Sequence, residues 1–259
     1  MPALNGHMIL SILGVAVLCG IIGLDRTAAG QFMVSQPIVA APFTGWLLGD
    51  VTAGAVVGVT LELLWVLDLP VGSFVPADAT VCSISATAIA ALAAPGGADS
   101  SVIGFSLLLT VPMVPVTMRA DSMVRSANSY LVDAVLNASG VEMETLLSRA
   151  QKRGLLRFFI KSVALCCVFI PLGLAAVLVF RHLPGFVPAA MSSFVKLAPL
   201  IGVASIARKL SILTVDRMVI AGFAVAICLS LLVHAQAPVV LLFAAVAGWI
   251  GAVYRERRT

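Results

Sequence analysis

Long apolar runs separated by short breaks govern what this chain can become. They cover residues 7–24, 32–48, 51–69, 79–94, 102–118, 156–180, 187–206, 213–233 and 237–254. A helix of about 20 apolar residues crosses the hydrocarbon core of a bilayer, so most of the chain has the length and chemistry to lie inside one. Only 11% of its 259 residues are charged and 61% are hydrophobic, whereas soluble domains carry about 25% charged residues. A water-soluble globule and a disordered chain are both excluded. The expectation is an all-α, polytopic integral membrane protein embedded in the lipid bilayer, with roughly 8–10 membrane segments, some of them broken or re-entrant. The first run lacks a basic flank and is followed by further runs, so it reads as a retained span and not as a cleaved signal.

Charge is distributed unevenly. Residues 1–118 contain a single basic side chain, Arg26, against the acids Asp25, Asp50, Glu62, Asp68, Asp78 and Asp99. The remaining basic residues fall mainly in three clusters: Arg119 to Lys161, Arg208 to Arg217, and Arg255 to Arg258. Positive charge beside membrane spans is retained on the cytoplasmic side. With 119–154 placed inside, the alternation of the later runs brings all three clusters to the same side. The chain therefore divides into an N-terminal membrane half (1–118), a cytoplasmic amphipathic connection (119–154) and a C-terminal membrane half (155–259). The C-terminus is expected in the cytoplasm. Nucleic-acid binding is not expected, because the basic residues are not interleaved with aromatics on a soluble surface.

The first half is less regular. Pro37, Pro42 and Gly45 interrupt 32–48 and argue against an unbroken helix. Residues 70–77 hold two prolines and a glycine without a charge. They are too short to span and too apolar for a solvated loop. Irregular backbone at membrane depth persists only where protein or a wet cavity satisfies its polar groups. Pro95-Gly96-Gly97 makes a turn. In 119–154, Met123, Ala127, Tyr130, Leu131, Ala134 and Val135 recur at helical spacing, and Gly140 is expected to end that helix.

Acids and amides in the first half are the candidate substrate ligands. Glu62 sits near the middle of a candidate span, where a carboxylate costs roughly 2.5–3.5 kcal/mol, so it is expected to face a cavity, a partner or a substrate. A paired acid that helps helices pack is the plainer alternative. Asp68 and Asp78 flank the Pro/Gly stretch, and carboxylates suit the hydroxyls of a neutral polyol. The plainer alternatives are a helix N-cap for Asp78 and an interfacial residue for Asp68. Gln31, Ser35 and Gln36 precede Pro37 and both donate and accept hydrogen bonds, as sugar recognition requires. They could instead satisfy backbone freed by the proline. Asp25 and Arg26 mark a span end, and Asp50 reads as a turn or cap residue. Gly54 and Gly58 permit close helix contact.

Signs of catalysis are missing. There is no Walker phosphate loop, His-Glu-x-x-His or Gly-x-Ser-x-Gly, and the three histidines lack metal-ligand spacing. The cysteines lie in apolar runs without Cys-x-x-Cys spacing. No catalytic residue, metal or cofactor is expected, and the chain is not expected to be an enzyme by itself.

Three stretches carry a family resemblance: Gln36-Pro-Ile-Val-Ala-Ala-Pro-Phe-Thr-Gly-Trp-Leu-Leu-Gly-Asp50, Gly54-Ala-Val-Val-Gly-Val-Thr-Leu-Glu62 and Val71-Gly-Ser-Phe-Val-Pro-Ala-Asp-Ala79. Over about residues 25–90 the chain resembles the IIC permease subunit of the mannose/fructose/sorbose family of the bacterial phosphoenolpyruvate-dependent sugar phosphotransferase system. The resemblance implies a multi-pass protein of the bacterial cytoplasmic (inner) membrane that binds and translocates a sugar. It implies a membrane partner, the IID subunit, and a phosphorylated cytoplasmic IIB (with IIA) that phosphorylates the sugar, with a higher oligomer as a further implication. Within that resemblance Glu62, Asp78 and Gln36 fall on the family's sugar-contacting positions. Pro70-Val-Gly72 stands where family members often have Asn-x-Gly, and Pro76-Ala-Asp78 where they often have Ala-Pro-Asp. The competing readings are a proton-coupled secondary transporter, with Glu62 or Asp78 as proton carrier, and a non-transporting sugar sensor or assembly subunit of a partial system.

Overall fold

In the computed structural model the described residues are 6–68, 74–136 and 142–211, and they form an all-α protein. The chain divides into two compact units, Met1–Gly202 and Val203–Thr259. In the second, the described residues are helical through Ser211. The expected spans 213–233 and 237–254, with Arg217, His234 and the C-terminal arginines, lie outside the described residues, as do the side chains of Arg208 and Lys209. The expected helix end at Gly140 and the Pro70-Val-Gly72 segment also lie outside them. Everything below concerns the first unit.

The helices are α1 (Gly6–Thr27), α2 (Pro37–Leu48), α3 (Val51–Trp65), α4 (Ala79–Ala93), α5 (Ser100–Leu136), α6 (Glu142–Phe180) and α7 (Phe186–Ser211). Stretches of α1, α5, α6 and α7 are long and apolar enough to cross a membrane: Gly6–Arg26, Ser100–Asp133, Met143–Phe180 and Phe186–Ile206. The chain is thus a multi-pass helical membrane protein. The other three helices are shorter. At 12 residues for α2 and 15 each for α3 and α4, they reach about 18 and 22 Å at 1.5 Å per residue, short of a core about 30 Å thick. The breaks that the prolines and glycines announce in the sequence are therefore real breaks. Pro37 opens α2 at a position where a missing N–H costs nothing, although Pro42 is accommodated inside it.

The helical hairpin α2–α3 follows from small residues. Gly49 closes α2 in the left-handed region at φ 81°, a conformation that glycine adopts without a Cβ clash. Asp50 then caps α3, accepting from Ala53 N–H at 2.9 Å, and its other oxygen accepts from Ala98 N–H at 2.7 Å. This is the cap role expected of it. A Cβ on Gly54 would sit 2.5 Å from the Ala41 carbonyl oxygen, and one on Gly58 would sit 2.6 Å from that of Pro37. The Gly54/Gly58 stripe is thus the surface on which α2 lies.

Helix α4 is the centre. Every residue from Thr80 to Ala91 is buried, and α1, α2, α3, α5 and α6 all pack against it. A helix with no charged side chain and no exposed face belongs in a core, and its Ala, Ser, Thr and Cys side chains let five neighbours approach. Helices α5 and α6 pair along their lengths. Helix α5 runs without interruption through 118–119 and α6 through 154–155. The polar connection is thus largely the continuation of two spanning helices.

Candidate functional site

Small residues on α1 set the register of the charged groups. A Cβ on Gly20 would strike Phe159 and Val163, and one on Gly23 would lie 2.8 Å from Ser162 Oγ. Helix α6 therefore lies directly on the last turns of α1. That approach brings Arg26, at the end of α1, level with Lys161. Between them stands Asp78, the N-cap of α4, whose Oδ1 accepts from Val81 N–H at 3.3 Å.

The result is a chain of alternating charges. Arg26 Nη1 lies 3.1 Å from Asp78 Oδ1, and Lys161 Nζ lies 2.7 Å from Asp78 Oδ2. Lys161 Nζ also lies 3.0 Å from Asp121 Oδ1 on α5, and Arg125 Nε, one turn further, donates to Asp121 Oδ2 at 2.7 Å. The side chains of Asp78, Lys161 and Asp121 are 3, 7 and 9% exposed. Ionised groups so deep in protein persist only when paired and hydrogen-bonded. Further bonds complete the arrangement: Asp78 N–H donates to Thr117 Oγ1 at 3.2 Å, and Arg26 Nη2 donates to the Ala77 carbonyl at 2.6 Å. The last bond ties α1 to the extended residues 74–78.

Beside this cluster, non-helical segments and the ends of α1, α3 and α4, with Arg125 of α5, line a cavity of about 370 Å³. Its polar lining comprises Asp25, Arg26, Gln31, Ser35, Gln36, Asp68, Thr80 and Arg125, and Trp65 contributes an aromatic face. The loop 28–36 forms one wall. Asp25 organises it, accepting from Phe32 N–H at 2.6 Å and Ser35 N–H at 3.1 Å. Thr80 Oγ1 donates to the Ser35 carbonyl at 2.7 Å and fastens the loop to α4. Within it Gln31 and Met33 have φ of 56° and 64°, a left-handed conformation that costs a non-glycine residue about 1–2 kcal/mol. Such backbone persists only where its surroundings hold it.

Of the residues singled out from sequence, Gln31, Ser35, Gln36 and Asp68 converge on this cavity. Two do not line it. Asp78 lies behind the wall, with both carboxylate oxygens engaged by Arg26, Lys161 and Val81. Glu62 reaches instead to the start of α2, where Oε2 accepts from Ile38 N–H at 3.3 Å. The helix geometry explains this. Glu62 is one turn beyond Gly58, on the face that touches Pro37, and a carboxylate there complements the unpaired N–H groups and dipole of a helix N-terminus. Gln36, the N-cap of α2, makes no side-chain capping bond.

Asp25, Arg26, Lys161 and Asp121 carry more of the site than the sequence suggested. Arg26 had a readable signal, as the only basic residue before Arg119. Lys161 reads from sequence as part of a solvated cytoplasmic cluster, but the structure buries it among two carboxylates. Arg157 from the same cluster is likewise committed, donating to the Ala127 carbonyl at 2.6 Å and Asn128 Oδ1 at 3.2 Å. Counting charges along the chain cannot separate these from the exposed Arg149, Lys152 and Arg153.

Comparison with known proteins places this architecture. Residues 9–247 match the family model described as "PTS system sorbose-specific iic component". Over 82 residues, 32% of this chain, the sequence is 32% identical to the "Putative N-acetylgalactosamine permease IIC component 2" of Escherichia coli (strain K12). The chain spans 61% of the length of that curated relative. Two solved structures share the fold over 98% of this chain and 96% of their own. One, described as "Structure of membrane protein", superposes with a TM-score of 0.65 at 17% identity. The other, "CryoEM Structure of Mannose Transporter ManYZ and Microcin E492 (MceA) complex", gives 0.54 at 19%. With nearly the whole chain matched by the family model, the protein belongs to the sorbose-specific IIC component family of the phosphotransferase system (PTS).

Proposed function

We propose that this protein is the sugar-binding and sugar-translocating membrane subunit of a phosphotransferase permease in the bacterial inner membrane. It works with a IID membrane subunit and with cytoplasmic IIA and IIB components that phosphorylate the sugar. The observation that carries this reading is the convergence of Gln31, Ser35, Gln36 and Asp68 on one cavity of about 370 Å³ walled in part by non-helical backbone. Amides, a hydroxyl and a carboxylate match the paired donors and acceptors of a polyol. Trp65 offers an apolar face to the C–H side of a sugar ring, and the volume suits a small ligand.

Arg125 of α5 also lines the cavity. It belongs to the basic 119–154 region, whose excess of positive charge supports a cytoplasmic placement. The cavity then opens inward, toward the phosphorylating components, and alternating access is a movement around the non-helical segments at 28–36 and 74–78. Glu62 and Asp78 contribute indirectly. Glu62 steadies the helix that begins beside Gln36, and Asp78 anchors the wall behind Thr80.

Uptake of labelled sugars by cells carrying the complete permease tests the proposal. Replacing both Gln31 and Gln36 by Leu should raise the KM for the transported sugar at unchanged protein level. An unchanged KM for every sugar taken up would move the site elsewhere. Uptake that survives loss of IIB but collapses with the proton gradient would favour the secondary transporter.

A further inference from the structure

A second concave site lies on the α5–α6 pair and shares no lining residue with the sugar cavity. It is a groove of about 530 Å³ lined by Arg119, Ser122, Met123, Ser126, Ala127, Tyr130 and Arg157. Its chemistry is one-sided. Two guanidinium groups, two serine hydroxyls and a phenol line it, and no acid does. The sugar cavity, by contrast, sets Asp25 and Asp68 against Arg26 and Arg125. A groove whose charges are all positive selects an anion.

The donors are preorganised. Arg157 Nη1 is held by the Ala127 carbonyl and Asn128 Oδ1, which fixes the plane of the guanidinium while leaving its other N–H groups to donate. Arg119 is exposed and makes no ion pair among the described residues. A planar guanidinium donates to two oxygens of a phosphate at once, and hydroxyls supply the remaining bonds.

Position identifies the source of the phosphate. On α5 the exposed residues Val111 and Val116 give way to Arg119, and on α6 the exposed Ile160 and Leu156 give way to Arg153 and Lys152. The groove therefore sits where both helices pass from an apolar to a basic outer face. Tyr130 and Met123, 71 and 57% exposed, are side chains suited to that boundary, where basic pockets between helices take anionic head groups. We propose that this groove binds the phosphodiester head group of an anionic membrane phospholipid through Arg119, Arg157, Ser122 and Ser126.

The test uses the purified full chain in a neutral detergent, titrated with phosphatidylglycerol or phosphatidylcholine and read by native mass spectrometry. Phosphatidylglycerol should remain bound to the wild type when phosphatidylcholine is lost. Arg119→Gln should weaken it about fivefold, as expected for one arginine near a head group. Lys152→Gln removes an exposed charge outside the groove and should leave binding unchanged. Because Arg157 also holds α5, Arg119→Gln combined with Ser122→Ala replaces any variant at that position. Equal weakening by Arg119→Gln and Lys152→Gln would reduce the effect to unspecific charge and overturn the proposal. So would equal retention of both lipids, or complete displacement of phosphatidylglycerol by inorganic phosphate at equal concentration, which would assign the groove to the free anion.

Discussion

Lys161 Nζ lies 2.7 Å from Asp78 Oδ2, joining residues 83 positions apart at a point where both are buried. With Arg26 and Asp121 the pair ties α1, α4, α5 and α6 at one level of the bundle. Removing one member of such a set leaves a buried, uncompensated charge, which costs about 3–5 kcal/mol. Lys161→Ala should therefore lower the thermal midpoint in detergent sharply, and Lys161→Arg, which keeps the charge, should lower it less. Equal midpoints for wild type and Lys161→Ala would show that the cluster does not hold the bundle.

Asp25 accepts two backbone N–H groups of the strained 28–36 loop. Hydrogen bonds to a charged acceptor are worth about 1.5–3 kcal/mol each. Asp25→Ala should release Gln31 and Met33 from their left-handed conformation and weaken sugar binding by about tenfold or more. Isothermal titration calorimetry on the purified complex measures this, with the thermal midpoint followed in parallel. A loss of stability without a loss of affinity would separate the loop from the sugar.

Glu62 is placed to act on α2 and not on a ligand. Loss of a helix-capping carboxylate costs about 1 kcal/mol, so Glu62→Ala should destabilise the protein by that order. Glu62→Gln, whose amide oxygen still accepts from Ile38 N–H, should cost less. Sugar affinity of Glu62→Gln should stay within about threefold of wild type, or roughly half a log unit. A much larger fall in affinity, with the melting curve unchanged, would return Glu62 to direct sugar contact.

The α2–α3 hairpin rests on close backbone approach. A side chain at Gly58 meets the Pro37 carbonyl, and overpacking of this kind costs about 1–3 kcal/mol. Gly58→Val should destabilise the protein and impair uptake together, since Pro37 adjoins Gln36. Gly14, with nothing near its Cβ direction, is the control: Gly14→Ala should leave both unchanged. Limited proteolysis and uptake assays on the same preparations report the two effects.

Much of the architecture was legible along the chain. The apolar runs marked helices, Pro37 marked a break in the 32–48 run, and Asp50 marked the turn and cap between α2 and α3. Gln31, Ser35, Gln36 and Asp68 stood out as polar residues in apolar surroundings, and they come together at one cavity. Glu62 and Asp78 stood out for the same reason, yet one caps a neighbouring helix and the other is held in an ion cluster. The cost of burying a carboxylate says that it must have a partner, not which partner. Asp121 was hidden for the opposite reason, because it lies in the segment richest in charge, and Lys161, inside the 156–180 run, was grouped with the basic cluster that precedes it.

By itself, then, the sequence determined the solvent and the building material: a chain with this density of apolar residues enters lipid, and in lipid backbone groups must be satisfied within helices. Hydropathy and proline or glycine breaks are local properties that add along the chain. Only the tertiary structure decided which charge meets which. The pairing of Asp78 with Lys161 depends on glycines in α1 that admit α6, and the turn of Glu62 toward Ile38 depends on Gly58 lying against Pro37. Those are contacts between distant segments, set by packing, and no single stretch of sequence contains them.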